Sequence, residues 1–238
     1  MSPKKSVTVR GKSNNTPDSQ PLGLPQDVAA IRAEISKVFD ELDQQRQKIG
    51  NAKNGVYAFY DYDGEPIYVG QTKESLRQRI GRHLTNQRTD AVAMNVLDPF
   101  EVAEIEMWPL DQRVKGLSES KLSDYLNRAE YTVFQKVLKE SAIGAVLNEK
   151  GIPQQRGITL PPSVRKKIIP EAIYQQRKHP DVRIARRANT IANLARVISE
   201  RDVSDGLRIT LLRQAQRLEK LAAQRLNELK IEINCLEP

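Results

Sequence analysis

Two tripeptides of the same kind, Gly55-Val56-Tyr57 and Tyr68-Val69-Gly70, stand in adjacent strand-like runs of this chain, with Asp61-Tyr62-Asp63-Gly64-Glu65 between them. An Asp-Gly pair flanked by β-rich residues is a strong short-range hairpin signal. The chain is therefore constrained to deliver two phenols to neighbouring strands. From Thr72 to Leu84 the pattern turns helical, with Leu76, Ile80 and Leu84 at steps of four. That spacing sets Arg79 and His83 on one helix face, beside the apolar stripe. Two tyrosines, an arginine and a histidine are thereby directed towards one pocket.

The surrounding pattern predicts further elements. Gln26 to Lys48 reads as a helix through Val28, Ile31, Ile35, Val38 and Leu42, and Gly50, Asn51 and Asn54 break it. Strands are expected over 56–61, 66–70 and 100–108, with helices over 73–85 and 117–140 and a polar loop over 86–99. In the third strand Phe100, Val102, Ile105 and Trp108 supply the apolar content, while Glu101, Glu104 and Glu106 read as its solvated side. Gly151-Ile152-Pro153 and Leu160-Pro161-Pro162 mark a linker or arm over 151–180. Two long helical patterns follow, over 181–201 and 205–234. The first offers Ile184, Ala188, Ile191, Ala195 and Ile198. The second runs from Leu207 through Leu211, Leu218, Leu226 and Leu229 to Ile233 and Leu236. An antiparallel hairpin within the chain satisfies both stripes, and a two-chain coiled coil is the competing solution. His179, ahead of Pro180, reads as a helix-boundary residue.

The fold class is accordingly α+β. A small three-stranded sheet with flanking helices occupies 51–150, after a basic disordered tail over 1–25 and an N-terminal helix over 26–50. A mainly α-helical extension over 181–238 completes the chain. The net charge of +8 is unevenly placed, since residues 151–238 carry 17 Lys and Arg against 9 Asp and Glu. A near-neutral module with a basic extension suggests nucleic-acid affinity in the extension. The single cysteine, Cys235, allows no internal disulfide and fits a cytoplasmic setting. No apolar run resembles a signal peptide or a membrane span.

The ordered set of motifs resembles the GIY-YIG nuclease superfamily, named for two such tripeptides, with Val here at both Ile positions. Arg79-Ile80-Gly81-Arg82-His83 is similar to the family's arginine followed four residues later by histidine or tyrosine. Glu130, in the helical run from Leu126 to Phe134, resembles the family's metal-binding glutamate, and Leu147-Asn148 its terminal asparagine. Gln71 stands where many members carry a lysine. The resemblance covers roughly Asn54 to Glu149.

The resemblance implies a metal-dependent DNA endonuclease, with Mg2+ as the cofactor and Mn2+ as a substitute. Tyr57 is implied to activate or orient the water, with Tyr68 beside it, and Arg79 to stabilise charge on the phosphate. Glu130 would hold the cation, His83 would share in water activation or position Tyr57, and Asn148 would be a neutral support. Tyr60, Tyr62, Lys73, Arg77 and Arg82 are expected around this site, with contact to DNA and a solvated role both open for each. A restriction-type or phage or mobile-element nuclease is the expected setting, with a homodimer on DNA. A non-catalytic DNA-binding protein on the same scaffold is the alternative.

Overall fold

The computed structural model describes residues 26–43, 45–84, 98–148 and 150–231. The expected tail, most of the expected polar loop, and Ile233, Cys235 and Leu236 lie outside the described residues. The hairpin forms where the sequence asks for it. Strand β1 (Gly55–Tyr60) pairs antiparallel with β2 (Pro66–Thr72), setting Tyr57 opposite Gly70 and Phe59 opposite Tyr68. Asp61 shapes the turn. Its Oδ1 accepts from the backbone N–H groups of Asp63 (2.9 Å) and Glu65 (3.0 Å), while Gly64 takes a positive φ of 74° that suits a residue without a Cβ.

Among the described residues the sheet has four strands, not the expected three. β3 (Glu104–Pro109) lies on the other side of β1, and β4 (Val164–Lys167) adds to β3, giving the order β2-β1-β3-β4 with every pair antiparallel. Val-Arg-Lys-Lys carries no apolar alternation, so its sequence gave no strand signal. A short, charged strand is a common way of finishing a sheet edge. Arg165 of β4 bonds Glu104 at 2.7 Å and lies over the Tyr60 ring.

Each sheet face has its own core. One carries Tyr57, Phe59, Ile105 and Met107 beneath helices α1 (Gln26–Asp40) and α2 (Leu76–Leu84), joined by Ile168, Ile169 and Tyr174. On the other, Val56, Ala58, Tyr60, Val69 and Trp108 meet Leu126, Ala129, Val133 and Val137 of α4 (Glu119–Glu140). A one-turn helix α3 (Asp111–Val114) links β3 to α4. Residues 151–163 run along α4, with the Ile158 N–H donating to Thr132 Oγ1 at 3.0 Å and Ile152, Ile158 and Leu160 packed inward.

The stretch expected as a linker also holds β4 and helix α5 (Glu171–Lys178). Helices α6 (Pro180–Glu200) and α7 (Asp205–Glu228) follow as an antiparallel pair, fastened by Leu194 against Leu207 near their connection and by Arg225 on Asp181 at the far end. His179 caps α6, its Nδ1 accepting from the Asp181 N–H at 3.3 Å. The face that the pair turns to the sheet is not the apolar stripe. It carries Arg183, Arg187, Thr210, Gln214 and Arg217, all buried. Asp61 Oδ2 accepts from Arg217 (2.7 Å), Arg187 (2.8 Å) and Arg183 (3.2 Å), and Arg183 also reaches Asp63 at 2.6 Å. Part of the basic surplus of the extension is thus drawn inward to fasten it to the β1–β2 turn.

Two of the acidic side chains expected in solvent are buried. Glu101 lies in the three-residue turn Pro99–Glu101 ahead of β3 and accepts from Arg187 Nε at 3.0 Å. Glu106 takes Tyr60 Oη (2.6 Å), Ser163 Oγ (2.6 Å) and Lys136 Nζ (2.9 Å). β3 is covered on both faces, so its carboxylates are paired in place of being hydrated. No described helix is long and apolar enough to cross a membrane.

Candidate active site

Strand alternation decides which side chains meet. Tyr57 and Phe59 point to the α2 side of the sheet, and across β2 so does Tyr68. Gly70, opposite Tyr57, leaves room for the ring: a Cβ there would stand 2.6 Å from Tyr57 Oη and 2.9 Å from Tyr68 Cε1. The second glycine of the paired tripeptides is therefore a packing requirement of the first tyrosine. The Tyr57 hydroxyl sits 2.9 Å from His83 Nε2, and the rings of Tyr68 and His83 lie 5.2 Å apart. Phe59 stacks on Tyr68 at 5.8 Å and supports the group from below. Burial, followed by the neighbouring Tyr68, pushes the Tyr57 phenol above its ordinary pKa, while Arg79 pulls it down. Gly70→Ala is expected to push Tyr57 off His83 and lower any cleavage activity about tenfold or more, with a Tm loss of only a few degrees. A Tyr57→Phe background in which Gly70→Ala costs nothing further would confirm the route.

Arg79 lies one turn before His83 on α2. Its Nε is buried and finds no hydrogen-bond partner among the described residues. The side chain borders an open cleft of about 500 Å³ lined by Gln71, Thr72, Lys73, Glu74, Ser123 and Asn127. A guanidinium cannot give up its proton at neutral pH and offers donors in a plane suited to phosphate oxygens.

Glu130 approaches from the opposite face. Because Gln71 pairs with Val56, its side chain leaves β2 towards α4. Its Nε2 donates to Asn127 Oδ1 at 2.8 Å and Glu130 Oε2 at 3.0 Å. Burial raises the Glu130 carboxyl to about 7, against the Gln71 hydrogen bond and the Arg79 charge. The Arg79 charge is felt at Glu130, and that of Glu130 at Tyr57. The two groups therefore communicate across an edge strand that carries no Cβ at Gly70. Among the described residues no three His, Cys, Asp or Glu side chains gather as a metal cage. One half-buried carboxylate beside an open cleft still fits a hard cation that keeps most of its water, as magnesium does in phosphoryl-transfer sites.

Asn148 stands apart from the cleft. Its Nδ2 donates to the Val69 carbonyl (2.7 Å) and its Oδ1 accepts the Val69 N–H (3.1 Å), while the Leu147 N–H donates to the Ile67 carbonyl at 2.7 Å. It clasps the free edge of β2. Tyr60 and Tyr62 also lie elsewhere, Tyr60 on the α4 side against Glu106 and Tyr62 packed on Tyr174. The nearby cations are already engaged: Lys73 with Glu119 and Ser123, Arg77 with Asp40, Arg82 with Glu74.

Residues 53–136 match the family model of the GIY-YIG catalytic domain. That segment is a GIY-YIG catalytic domain. No curated protein and no solved structure gives a match. The GIY-YIG segment takes in Tyr57, Tyr68, Arg79, His83 and Glu130 and ends before Asn148. Gly70 and Gln71 were noted in the motif without a role at the site, and Asn127 is a site residue that the sequence reading had not placed there. Asn127 carried a usable signal, lying three residues before Glu130 and hence on the same helix face.

Proposed function

We propose that the protein is a metal-dependent DNA endonuclease that hydrolyses phosphodiester bonds in the cleft beside β2. The observation that carries this reading is the buried Arg79 Nε–H next to the Tyr57–His83 pair, a cationic donor that has no hydrogen-bond partner and forms no ion pair among the described residues. A phosphate in the cleft supplies the acceptor for that N–H. Tyr57 orients the attacking water and, as it takes a proton from that water, passes its own hydroxyl proton to His83 Nε2. The phenol thus acts without existing as a free phenolate, which its burial opposes. Arg79 donates to the non-bridging oxygens as charge builds on them. A divalent cation at Glu130 would supply further positive charge to the phosphate and the leaving alkoxide. Magnesium is the expected ion, with manganese as a substitute.

The test is cleavage of supercoiled plasmid by the full chain, with and without magnesium. Tyr57→Phe and Arg79→Ala are each expected to lower the rate by ~10²-fold or more, with duplex binding retained, the loss typical of a removed proton-transfer or charge-stabilising group. Cleavage at the wild-type rate by either variant would falsify the assignment. Asn148→Ala belongs to a different class. It is expected to lower Tm and to lower cleavage only as far as β2 loosens.

The proposed setting is a restriction-type or phage or mobile-element role, in which the basic helical extension joined to the nuclease module adds affinity for DNA. Cutting both strands calls for two copies acting together on DNA, or for rebinding. Leu229 and Ile231, about half exposed beyond the α6 contact, are the apolar side chains such a pairing would cover.

A further inference from the structure

One turn of the chain is built to hold side chains outward. Helix α1 stops at Asp40, and the backbone then folds back on itself so that Leu42 bridges to Lys48. The Asp43 carboxylate accepts the N–H groups of Gln45 (2.8 Å) and Gln47 (2.9 Å), the Asp43 N–H donates to the Gln47 carbonyl at 2.8 Å, and the Arg46 N–H donates to the Asp43 carbonyl at 3.0 Å. Arg46 takes a φ of 58°, a left-handed conformation that an arginine adopts only when its surroundings impose it. The backbone N–H groups of Asp43, Gln45, Arg46 and Gln47 are all bonded within the turn, and the side chains of Gln45, Arg46, Gln47 and Lys48 are exposed. Among the described residues no hydrogen bond or ion pair is made by the side chains of Gln45, Arg46 or Gln47. That sets Arg46 apart from Arg77, Arg82, Arg183, Arg187 and Arg217, each held by a carboxylate.

The turn also stands at the right place. It borders a cleft of about 470 Å³ with Ala52, Pro109 and Arg113, at the end of the sheet where β1 begins. The Ala52 carbonyl accepts the Leu76 N–H that opens α2, the helix of Arg79 and His83. Lys48 and Arg77 share Asp40, at 3.2 and 2.5 Å, tying the turn to the same helix. Two carboxylates border this cleft, and both are occupied. Asp43 caps its own turn, and Asp111 accepts the Lys53 and Asn54 N–H groups at 3.0 and 2.7 Å.

We propose that Gln45, Arg46 and Gln47 read base edges of duplex DNA and so set the sequence at which this nuclease acts. Glutamine presents the donor and acceptor that match adenine, and arginine the paired donors that match guanine, both in the major groove. Lys48, tied to Asp40, anchors the turn. A hydrogen-bonded turn with three unengaged side chains of these kinds suits base reading better than phosphate contact, for which flexible lysines serve as well. The inference rests on the nuclease reading for its substrate, yet binding tests it apart from cleavage.

The experiment is selection of bound duplexes from a random-sequence pool by the full-length wild type, by Arg46→Gly, and by Gln45→Ala/Gln47→Ala. Glycine takes a positive φ without cost, so Arg46→Gly removes the side chain and leaves the turn intact. The wild type is expected to enrich a short motif. Each variant is expected to lose preference at one or more positions of it, with the ratio of cognate to single-substituted duplex falling about tenfold. No enriched motif, the same motif with either variant, or weakening that is equal on all sequences would overturn the proposal. Plasmid cleavage by the same wild-type sample reports separately on the nuclease reading.

Discussion

Replacing Asp61 with alanine is expected to cost ~3–5 kcal/mol of folding stability, the range measured when one partner of a buried ion pair is removed. The expected loss is that large because one carboxylate serves three guanidinium groups. Asp61 is 2% exposed, and Arg183, Arg187 and Arg217 are 1%, 5% and 3% exposed, so water cannot take its place. Glu101 and the partly exposed Asp63 would be left as the nearby anions. Against a total stability of roughly 5–15 kcal/mol for a domain, this threatens the fold itself. Two side effects can be separated by choice of variant. Alanine also removes the Oδ1 atom that shapes the hairpin turn, whereas Asp61→Asn keeps an acceptor there and loses only the charge. Most of the loss is therefore expected in the asparagine variant as well. Arg165→Ala, which breaks a more exposed pair with Glu104, provides the comparison at less than ~1 kcal/mol. Urea denaturation of the three variants measures this. A loss below ~1 kcal/mol for Asp61→Asn would show that the arginines hold the helices by packing alone.

The same network explains what was legible in the sequence and what was not. The hairpin, the α2 face and α4 were readable because each is written in local pattern: an Asp-Gly turn, apolar steps of four, a long amphipathic run. The convergence of Tyr57 and His83 followed from those elements alone. Glu101 and Glu106 were misread as solvated because a half-buried strand usually puts its charge in water, and their partners come from residues 30 to 86 positions away. The inward face of α6 and α7 was not legible for a related reason. A helix that packs arginines on a carboxylate has no apolar period to detect, and the stripe that is detectable points elsewhere. β4 escaped notice because an edge strand needs few apolar residues. Gly70 was visible as half of a motif, but its purpose appears only once Tyr57 stands opposite it.

Glu130→Gln is expected to abolish cleavage, by ~10²-fold or more, while making the metal-free protein more stable at mildly alkaline pH. The two effects share one cause. Burial holds the Glu130 carboxyl at about 7, against an ordinary value of 4.5. The folded protein therefore keeps this proton more tightly than the unfolded chain does. Stability from this group is complete below the unfolded value, near 4.5, and is lost as the pH rises through about 7. Above that, the wild type carries a half-buried negative charge that glutamine does not. The Tm advantage of Glu130→Gln is expected at about pH 8 and should vanish at about pH 4.5. Magnesium reverses the comparison, since a cation bound by the folded carboxylate alone stabilises the wild type and leaves the glutamine variant unchanged. The cleavage rate of the wild type should rise with pH through the neutral range at limiting magnesium, as the carboxylate becomes free to hold the ion. Equal stabilisation of both proteins by magnesium, measured by thermal unfolding at about pH 8, would remove Glu130 from the metal role and send the search for the ion to another oxygen in the cleft.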